Sequence, residues 1–432
     1  MHLLIVAYHF PPDRAVGALR PARMAEALRA AGHRVSVITA KLPGEVQSVR
    51  PAASGMAAFS VTPVPNPREF YLGAKRLLKR ATPAGPAPDD GAALEPASGP
   101  AAVPLWKRAI LAVLWLPDDR QGFIPAAVAQ ARRIHRRHPV DVVITTAPPF
   151  SAHLAGLLIR RLTGSRWVAD FRDPWTGNPW KPAEIRTAGT DRLEAGLEKR
   201  VLHRADLVIS ASAGIQQGFE RNGLASSKLL LVRNGIETIS ARPPRVPGAP
   251  FRILHMGTFY HARDPRPFLE ALARVRSDTQ LTDEDLIVDF VGSSREFDGK
   301  SIPQMVERLG LEDVFHFHDF MPRDRAIAMA GEADLLLLLA QNQPDQVPQK
   351  LYEYLGTRVP ILAFADDDGE SARLLRHVGG HHVVANNDVD EAYGALKAAL
   401  MRRDGEAAGR TGALMELSAD SQIRRLIDAL EG

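Results

Sequence analysis

The sequence predicts an α/β protein built from two doubly wound, parallel-sheet domains. Short apolar, β-branched runs recur along the chain with stretches of helical period between them. That alternation suits strands buried on both faces of a parallel sheet. The pattern stops and restarts at one Pro-rich segment, and 432 residues exceed what a single hydrophobic core organises.

In the first half the runs are Leu3–Tyr8, Arg34–Thr39, Phe59–Val64, Asp141–Thr146, Trp167–Phe171 and Asp206–Ser212. In the second half they are Arg252–Gly257, Leu286–Gly292, Val314–Phe320, Asp334–Ala340, Pro360–Phe364 and His381–Ala385. Between the halves, ISARPPRVPGAP (Ile239–Pro250) lacks periodicity and marks the expected boundary. The expected domains are therefore 1–240 and 251–417, with a closing helix at 418–432 packing back on the first domain.

Composition narrows the function classes. Cys is absent, which excludes a disulfide framework, a thiolate zinc site and a Cys nucleophile. The first residues, MHLLIVAYHFPPDR, lack a basic n-region and a small-residue cleavage site, so they read as a buried strand and not as an export signal. No apolar stretch reaches the ~18 residues that a spanning helix needs; the longest, Ala109–Pro117, is flanked by Lys107, Arg108 and Arg120. These features together predict a cytoplasmic protein. Net charge is a mild +4, with no basic cluster interleaved with an aromatic platform, so nucleic acid is not an expected partner.

The positive charge is concentrated. Residues 68–137 hold 12 Lys and Arg against 6 Asp and Glu, leaving the rest of the chain slightly acidic. Within this region Arg80–Pro104 is dominated by Ala, Pro and Gly and reads as a flexible insertion. Before it, Lys75, Arg76, Lys79 and Arg80 share one helical face; after it, Trp106 and Trp115 stand beside basic residues. Basic amphipathic helices carrying Trp suit an anionic membrane surface, and equally suit a solvated face on a core-packing helix.

The first strand is followed by HFPPDRAVGALRPARMAEALRAAGH, without the G-x-G-x-x-G of a dinucleotide site. Gly17 lets a ligand near the backbone, and a helix from about Leu19 to Ala31 points its positive end at whatever binds there. This loop and helix resemble family 4 glycosyltransferases: Y-x-F-P-P, a Gly shortly after, then R-x-x-x-x-A-x-x-L-x-x-x-G-H-x-V. The resemblance continues through TTAPPFSAHLAGLLI (Thr145–Ile159, with Ser151 as helix cap), WVADFRDPW (Trp167–Trp175), LVRNGIE (Leu231–Glu237) and FRILHMGTFYHARDPRPFLEAL. It covers both halves, apart from the insertion and the tail. It implies a GT-B fold, two Rossmann-like domains facing across a cleft, in a subgroup resembling surface-polysaccharide or O-antigen enzymes.

The most informative segment is QNQPDQVPQKLYEYLGTRVPILAF (Gln341–Phe364). Asp345 falls in a loop before a helix expected from about Val347, and Glu353 lies two turns along it. Loop carboxylate, helix N–H groups and the Lys350 ammonium are thus offered together. A nucleotide sugar reacts by loss of a diphosphate as positive charge develops at the anomeric carbon; cations and helix N-termini stabilise that leaving group without a metal. In the family an E-x7-E pair divides the work, which assigns sugar contact to Asp345 and ribose contact to Glu353. Asp in place of the usual Glu is a departure. Where relatives carry Arg after the strand-ending Gly257, Thr258 stands here, so Arg263 is the expected diphosphate ligand, with Arg266 and Lys350 compensating.

In the first half Asp170, Arg172 and Asp173 end a buried strand, where α/β sheets place ligands. Asp170 or Asp173 is a candidate to accept from an acceptor hydroxyl, Asp173 being also a turn cap, and Arg172 stands where many relatives have His. His153 reads as a satisfied core histidine. Asp366–Asp368 reads as a solvated turn, and no cluster has metal-ligand spacing, so neither metal nor other cofactor is expected.

The resemblance implies a retaining transfer of a hexose-type sugar from a nucleotide sugar to a lipid-diphosphate-linked saccharide, at the inner face of the cytoplasmic membrane. It also implies that the leaving phosphate helps deprotonate the acceptor. Two rivals stand beside it: a nucleotide-sugar 2-epimerase, and an inactive scaffold subunit of an assembly complex.

Overall fold

The structure is a computed structural model that describes residues 1–13, 15–41, 60–64, 115–177, 186–244, 246–259, 263–401 and 408–432. The expected flexible insertion at about 80–104, and the basic-helix residues Lys75, Arg76, Lys79, Arg80 and Trp106, lie outside these residues. Two compact units are present. The first comprises Met1–Ala211, Ile215–Val232 and Leu426–Gly432; the second comprises Ser212–Gly214 and Arg233–Arg425.

The first domain runs β1 (His2–Ala7), α1 (Leu19–Ala30), β2 (Arg34–Ala40), β3 (Ser60–Val64), α2 (Phe123–Arg137), β4 (Val142–Ala147), α3 (Ser151–Thr163), β5 (Arg166–Phe171), α4 (Ala188–Arg204), β6 (Leu207–Ser210), α5 (Ala213–Arg221) and β7 (Leu229–Leu231). Its strands form one parallel sheet in the order β3-β2-β1-β4-β5-β6-β7. Strand residues alternate between two cores: Leu4 and Val6 face one, with Phe123 and Trp167, while Leu3 and Ile5 face the other, with Met24 and Leu28. This is the period of two that makes the run read as apolar throughout. The sheet order reverses between β1 and β4, and their carboxyl ends are where such sheets bind ligands.

The second domain repeats the plan with β8 (Phe251–Met256), α6 (Arg266–Thr279), β9 (Leu286–Val291), a hairpin of β10 (Glu296–Phe297) and β11 (Lys300–Ser301), α7 (Ile302–Arg308), β12 (Phe315–His318), α8 (Arg323–Glu332), β13 (Leu335–Ala340), α9 (Gln349–Thr357), β14 (Ile361–Ala365), α10 (Glu370–Val378), β15 (His382–Ala385), α11 (Val389–Met401) and α12 (Thr411–Glu416). The sheet order is β12-β9-β8-β13-β14-β15, again all parallel, with the reversal between β8 and β13. Leu335, Leu337 and Leu339 enter one core, Leu336 and Leu338 the other. Each such side chain contributes about 1.5–3 kcal/mol on burial, so this strand anchors the domain from both faces.

The two-domain, doubly wound expectation holds, and all twelve strands read from sequence are present within two residues at most edges. The chain joins the second domain at Arg233, ahead of the expected segment at Ile239–Pro250. The reason is pairing of its backbone: Ile236 exchanges hydrogen bonds of 2.8 Å with Leu417 and Ala419, and Ser240 N donates to Gly356 O at 2.8 Å. The last helix, α13 (Ala419–Glu431), places Leu426 and Leu430 in a first-domain core, where Arg166 donates to the carbonyls of Ala429 and Leu430. Among the described residues no helix is long and apolar enough to cross a membrane.

Candidate functional site

In the second domain the chemistry gathers at the end of β8. Gly257 adopts φ +115°, a backbone conformation costly for other residues, and a Cβ there would stand 2.7 Å from Lys350 Nζ. The Lys350 ammonium, from the first turn of α9, donates to Met256 O at 2.6 Å. Tyr354, one turn later, accepts from Met256 N at 2.8 Å. The strand end is thus clamped to the helix that begins the predicted phosphate site. Burial, followed by the positive charge of Arg263, holds the Lys350 pKa well below its ordinary 10.5, while Glu353 opposes that shift. Arg263 is itself buried. The structure therefore brings Gly257, Arg263, Lys350 and Glu353 into one electrostatic neighbourhood.

Glu353 has a fixed orientation. Its Oε1 accepts from Arg323 Nε at 2.7 Å, and Arg323 Nη1 reaches Glu237 Oε2 at 2.8 Å. Charge-assisted bonds of this kind hold a carboxylate while leaving its second oxygen as an acceptor. Arg323 escaped the sequence reading because its partners lie 30 and 86 residues away. Asp345 sits in the loop between β13 and α9, its carbonyl receiving Ser212 Oγ at 2.5 Å. A Cβ on Gly214 would overlap Asp345 Oδ1, so its carboxylate lies against that glycine. Arg266 is committed elsewhere: its guanidinium chelates Asp264 at 2.5–2.9 Å and lies 5.5 Å from the Phe297 ring. That geometry does not supply the compensation expected of it for Thr258.

In the first domain Asp170 is fully buried and its carboxylate is spent. It accepts from Arg20 Nε and Nη2 at 2.7–3.2 Å and from Thr146 Oγ1 at 2.8 Å, and Arg20 also donates to Val232 O. Expected as a partner for an acceptor hydroxyl, it is instead half of a buried ion pair. Arg172 likewise ties loops together, donating to Gly17 O at 2.6 Å, Ala147 O at 3.2 Å and Pro148 O. A Cβ on Gly17 would stand 2.8 Å from Arg172 Nη1, so the small residue makes room for this arginine. Burial pushes the Asp173 carboxyl up, and the Arg172 charge opposes it.

Ser151 is the first helical residue of α3 and not its cap. The cap comes from Asp118, which accepts from Ser151 N at 2.8 Å and Ser151 Oγ at 2.6 Å; burial pushes its carboxyl up to about 6. His153 is a core histidine as expected but only half satisfied: Nδ1 is bonded to Thr145 Oγ1 at 2.8 Å, its buried Nε2 has no partner among the described residues, and burial drives its pKa down to about 3. His9, four residues before Asp13, contacts it through Nδ1 at 2.6 Å, a spacing visible in the sequence but not singled out from it. Asp366 accepts from Gln343 N and Asn386 Nδ2, and Asp367 pairs with Arg376. Among the described residues no group of three His, Asp or Glu side chains is placed to hold a metal.

Residues 18–235 match the family model described as glycosyl transferase 4-like domain, and residues 237–411 the one described as glycosyl transferases group 1. No curated protein matches by sequence. Among solved structures the chain is similar to a sucrose-phosphate synthase from Thermosynechococcus elongatus (15% identity, TM-score 0.65, covering 100% of this chain and 98% of that one). It is also similar to HepE of Anabaena in complex with UDP and glucose (15%, 0.61, 100% and 99%). A third is the lipopolysaccharide outer core galactosyltransferase WaaB (11%, 0.59, 100% and 99%). At these identities the likeness establishes the GT-B fold.

Proposed function

The chain belongs to the glycosyl transferase 4-like family, and on that premise we propose that it moves a hexose-type sugar from a nucleotide-sugar donor to a hydroxyl of a lipid-diphosphate-linked saccharide, with retention and without a metal, in building cell-surface polysaccharide. One observation carries the donor half of this reading: Arg263, Lys350 and the first turn of α9 gather cationic groups at a strand end, beside a pre-oriented Glu353. The cations and helix N–H groups receive the departing diphosphate. Glu353 accepts from the ribose hydroxyls with its second oxygen, and Asp345 from the donor sugar. Asp173 and Arg172 stay assigned to the acceptor side, Arg172 through the loops it ties together.

The test is binding of UDP-, GDP-, ADP- and dTDP-sugars to the wild type and to Glu353→Ala. Loss of a charge-assisted contact to both ribose hydroxyls corresponds to about 2–3 kcal/mol, so the preferred donor is expected to bind roughly 30- to 150-fold more weakly in the variant. Equal binding removes Glu353 from the site, and no binding by the wild type removes the enzyme reading in favour of a scaffold subunit.

We place the protein on the inner face of the cytoplasmic membrane, and the described residues offer support distinct from the Trp-bearing flanks. Arg132, Arg133, Arg136 and Arg137 on α2 are all exposed, and none forms an ion pair among the described residues. On the neighbouring α3, Leu158 and Leu162 are 44% and 56% exposed beside the exposed Arg161. A basic residue near an anionic surface contributes about 1 kcal/mol. Changing the four α2 arginines to Gln is expected to weaken binding to phosphatidylglycerol vesicles by roughly two to three orders of magnitude, as read by flotation. Wild-type binding that is the same on purely zwitterionic vesicles would sink the assignment.

A further inference from the structure

One guanidinium bridges two carboxylates in the second unit, and all three residues belong to that unit. Arg323, the first residue of α8, donates from Nε to Glu353 Oε1 at 2.7 Å and from Nη1 to Glu237 Oε2 at 2.8 Å. The backbone around Glu237 is fixed along α9. Ile236 is held by Leu417 and Ala419, Ser240 N donates to Gly356 O at 2.8 Å, and a Cβ on Gly356 would stand 2.3 Å from Thr238 O. Gly356 lies one turn beyond Glu353, and its lack of a side chain lets this segment run close beside the helix. An arginine facing a single carboxylate frequently takes both of its oxygens with its fork. Here Glu237 engages a second guanidinium nitrogen, and Glu353 receives the Nε alone. Its Oε2 is neither buried nor bonded among the described residues, in a side chain 14% exposed. Glu353 thus has one oxygen pinned and the other presented to solvent.

We propose that Arg323, tethered by Glu237, is a positioning residue that aims Glu353 at both hydroxyls of the donor's ribose. The consequence is a choice of donor class: ribonucleoside diphosphate sugars are accepted and 2′-deoxy donors, such as dTDP-sugars, are disfavoured. The inference rests on the donor reading above, in which Glu353 receives the ribose. A carboxylate oxygen carries two lone pairs, enough for two vicinal hydroxyls at once. A deoxy donor leaves one of these acceptor positions unmet, and the mostly buried setting of Glu353 gives water little room to replace the hydroxyl. A carboxylate free to swing follows whichever hydroxyl remains and so discriminates less. Without the guanidinium, Glu237 and Glu353 have no cation between them, and their like charges turn Glu353 out of position. The orientation of Glu353, in addition to its charge, therefore sets the choice of sugar ring.

The experiment measures calorimetric Kd values for UDP, GDP and ADP beside their 2′-deoxy counterparts, in wild type, Arg323→Met, Arg323→Lys and Glu353→Ala. A hydrogen bond to a charged group is worth roughly 10- to 150-fold in affinity, so wild type is expected to bind the ribo form of its preferred base at least about tenfold more tightly than the deoxy form. In Arg323→Met this ratio is expected to fall below about threefold, with the deoxy form binding within about threefold of wild type. Arg323→Lys, which restores the charge but not the fork, is expected to fall between them. A residue that merely ties α8 to α9 would weaken both forms alike and leave the ratio unchanged; that result overturns the assignment. So does a wild-type ratio near one. If Glu353→Ala still loses the bound nucleotide in that case, the donor reading stands and only the choice of ring falls. A wild type that binds none of the nucleotides overturns both. Should Arg323→Met fail to fold, Arg323→Gln takes its place, and an unchanged ratio there overturns the assignment equally.

Discussion

Replacing Asp170 by Ala is expected to destabilise the first domain by about 3–5 kcal/mol, because it strands the Arg20 guanidinium in the interior without its counter-ion. Arg20 is 8% exposed and Asp170 0%, so water does not reach the orphaned charge. Thr146 Oγ1 also loses its acceptor. The readout is favourable, since all five Trp residues precede residue 181 and tryptophan fluorescence therefore follows the first domain alone. A double replacement, Arg20→Met with Asp170→Leu, removes both charges and is expected to recover most of the loss. If Asp170→Ala instead unfolds like the wild type but turns over slowly, the carboxylate faces substrate and the buried-pair assignment is wrong.

Asp170 also shows where the sequence stopped being legible. Its place at the carboxyl end of β5 follows from strand grammar, which is local, and the same grammar located every long strand of both sheets. Its partner is 150 residues away in α1, and nothing near Arg20 in the sequence announces the pair. The same physical reason hid Arg323 behind Glu353 and Asp118 behind Ser151. β7 was missed as a strand for another reason: its three half-buried residues are too few to set a period. Gly257 and Lys350 were legible because each sits at a fixed position in a strand–turn–helix unit, and fold regularity then brings them together. Arg172 and Gly17 both lie at the carboxyl edge of the first sheet, where the sequence assigned each to a ligand. The structure shows them bonded to each other, because a long guanidinium reaches three backbone carbonyls in two chain segments at once, after β1 and at the end of β4.

The Lys350 ammonium is expected to couple donor binding to proton uptake. In the free protein its pKa is held well below 10.5, first by burial and then by Arg263. A bound diphosphate supplies the missing counter-charge and raises it. Between the free and bound values, binding takes up a proton, so affinity is highest at low pH, falls as pH rises through the free value, and levels off above the bound one. The steepest slope for one proton is about tenfold per pH unit. Titrating UDP, GDP, ADP or dTDP calorimetrically in two buffers of different ionisation enthalpy counts the protons directly. Lys350→Met keeps the aliphatic stem but removes the charge and the bond to Met256 O. That variant is expected to bind at least about tenfold more weakly near neutral pH and to lose the uptake. Binding without proton uptake in the wild type across the whole pH range would mean that Lys350 does not change its protonation when the phosphates arrive. Its contact with Met256 O would then be a structural clamp, and Arg263 would carry the diphosphate without it.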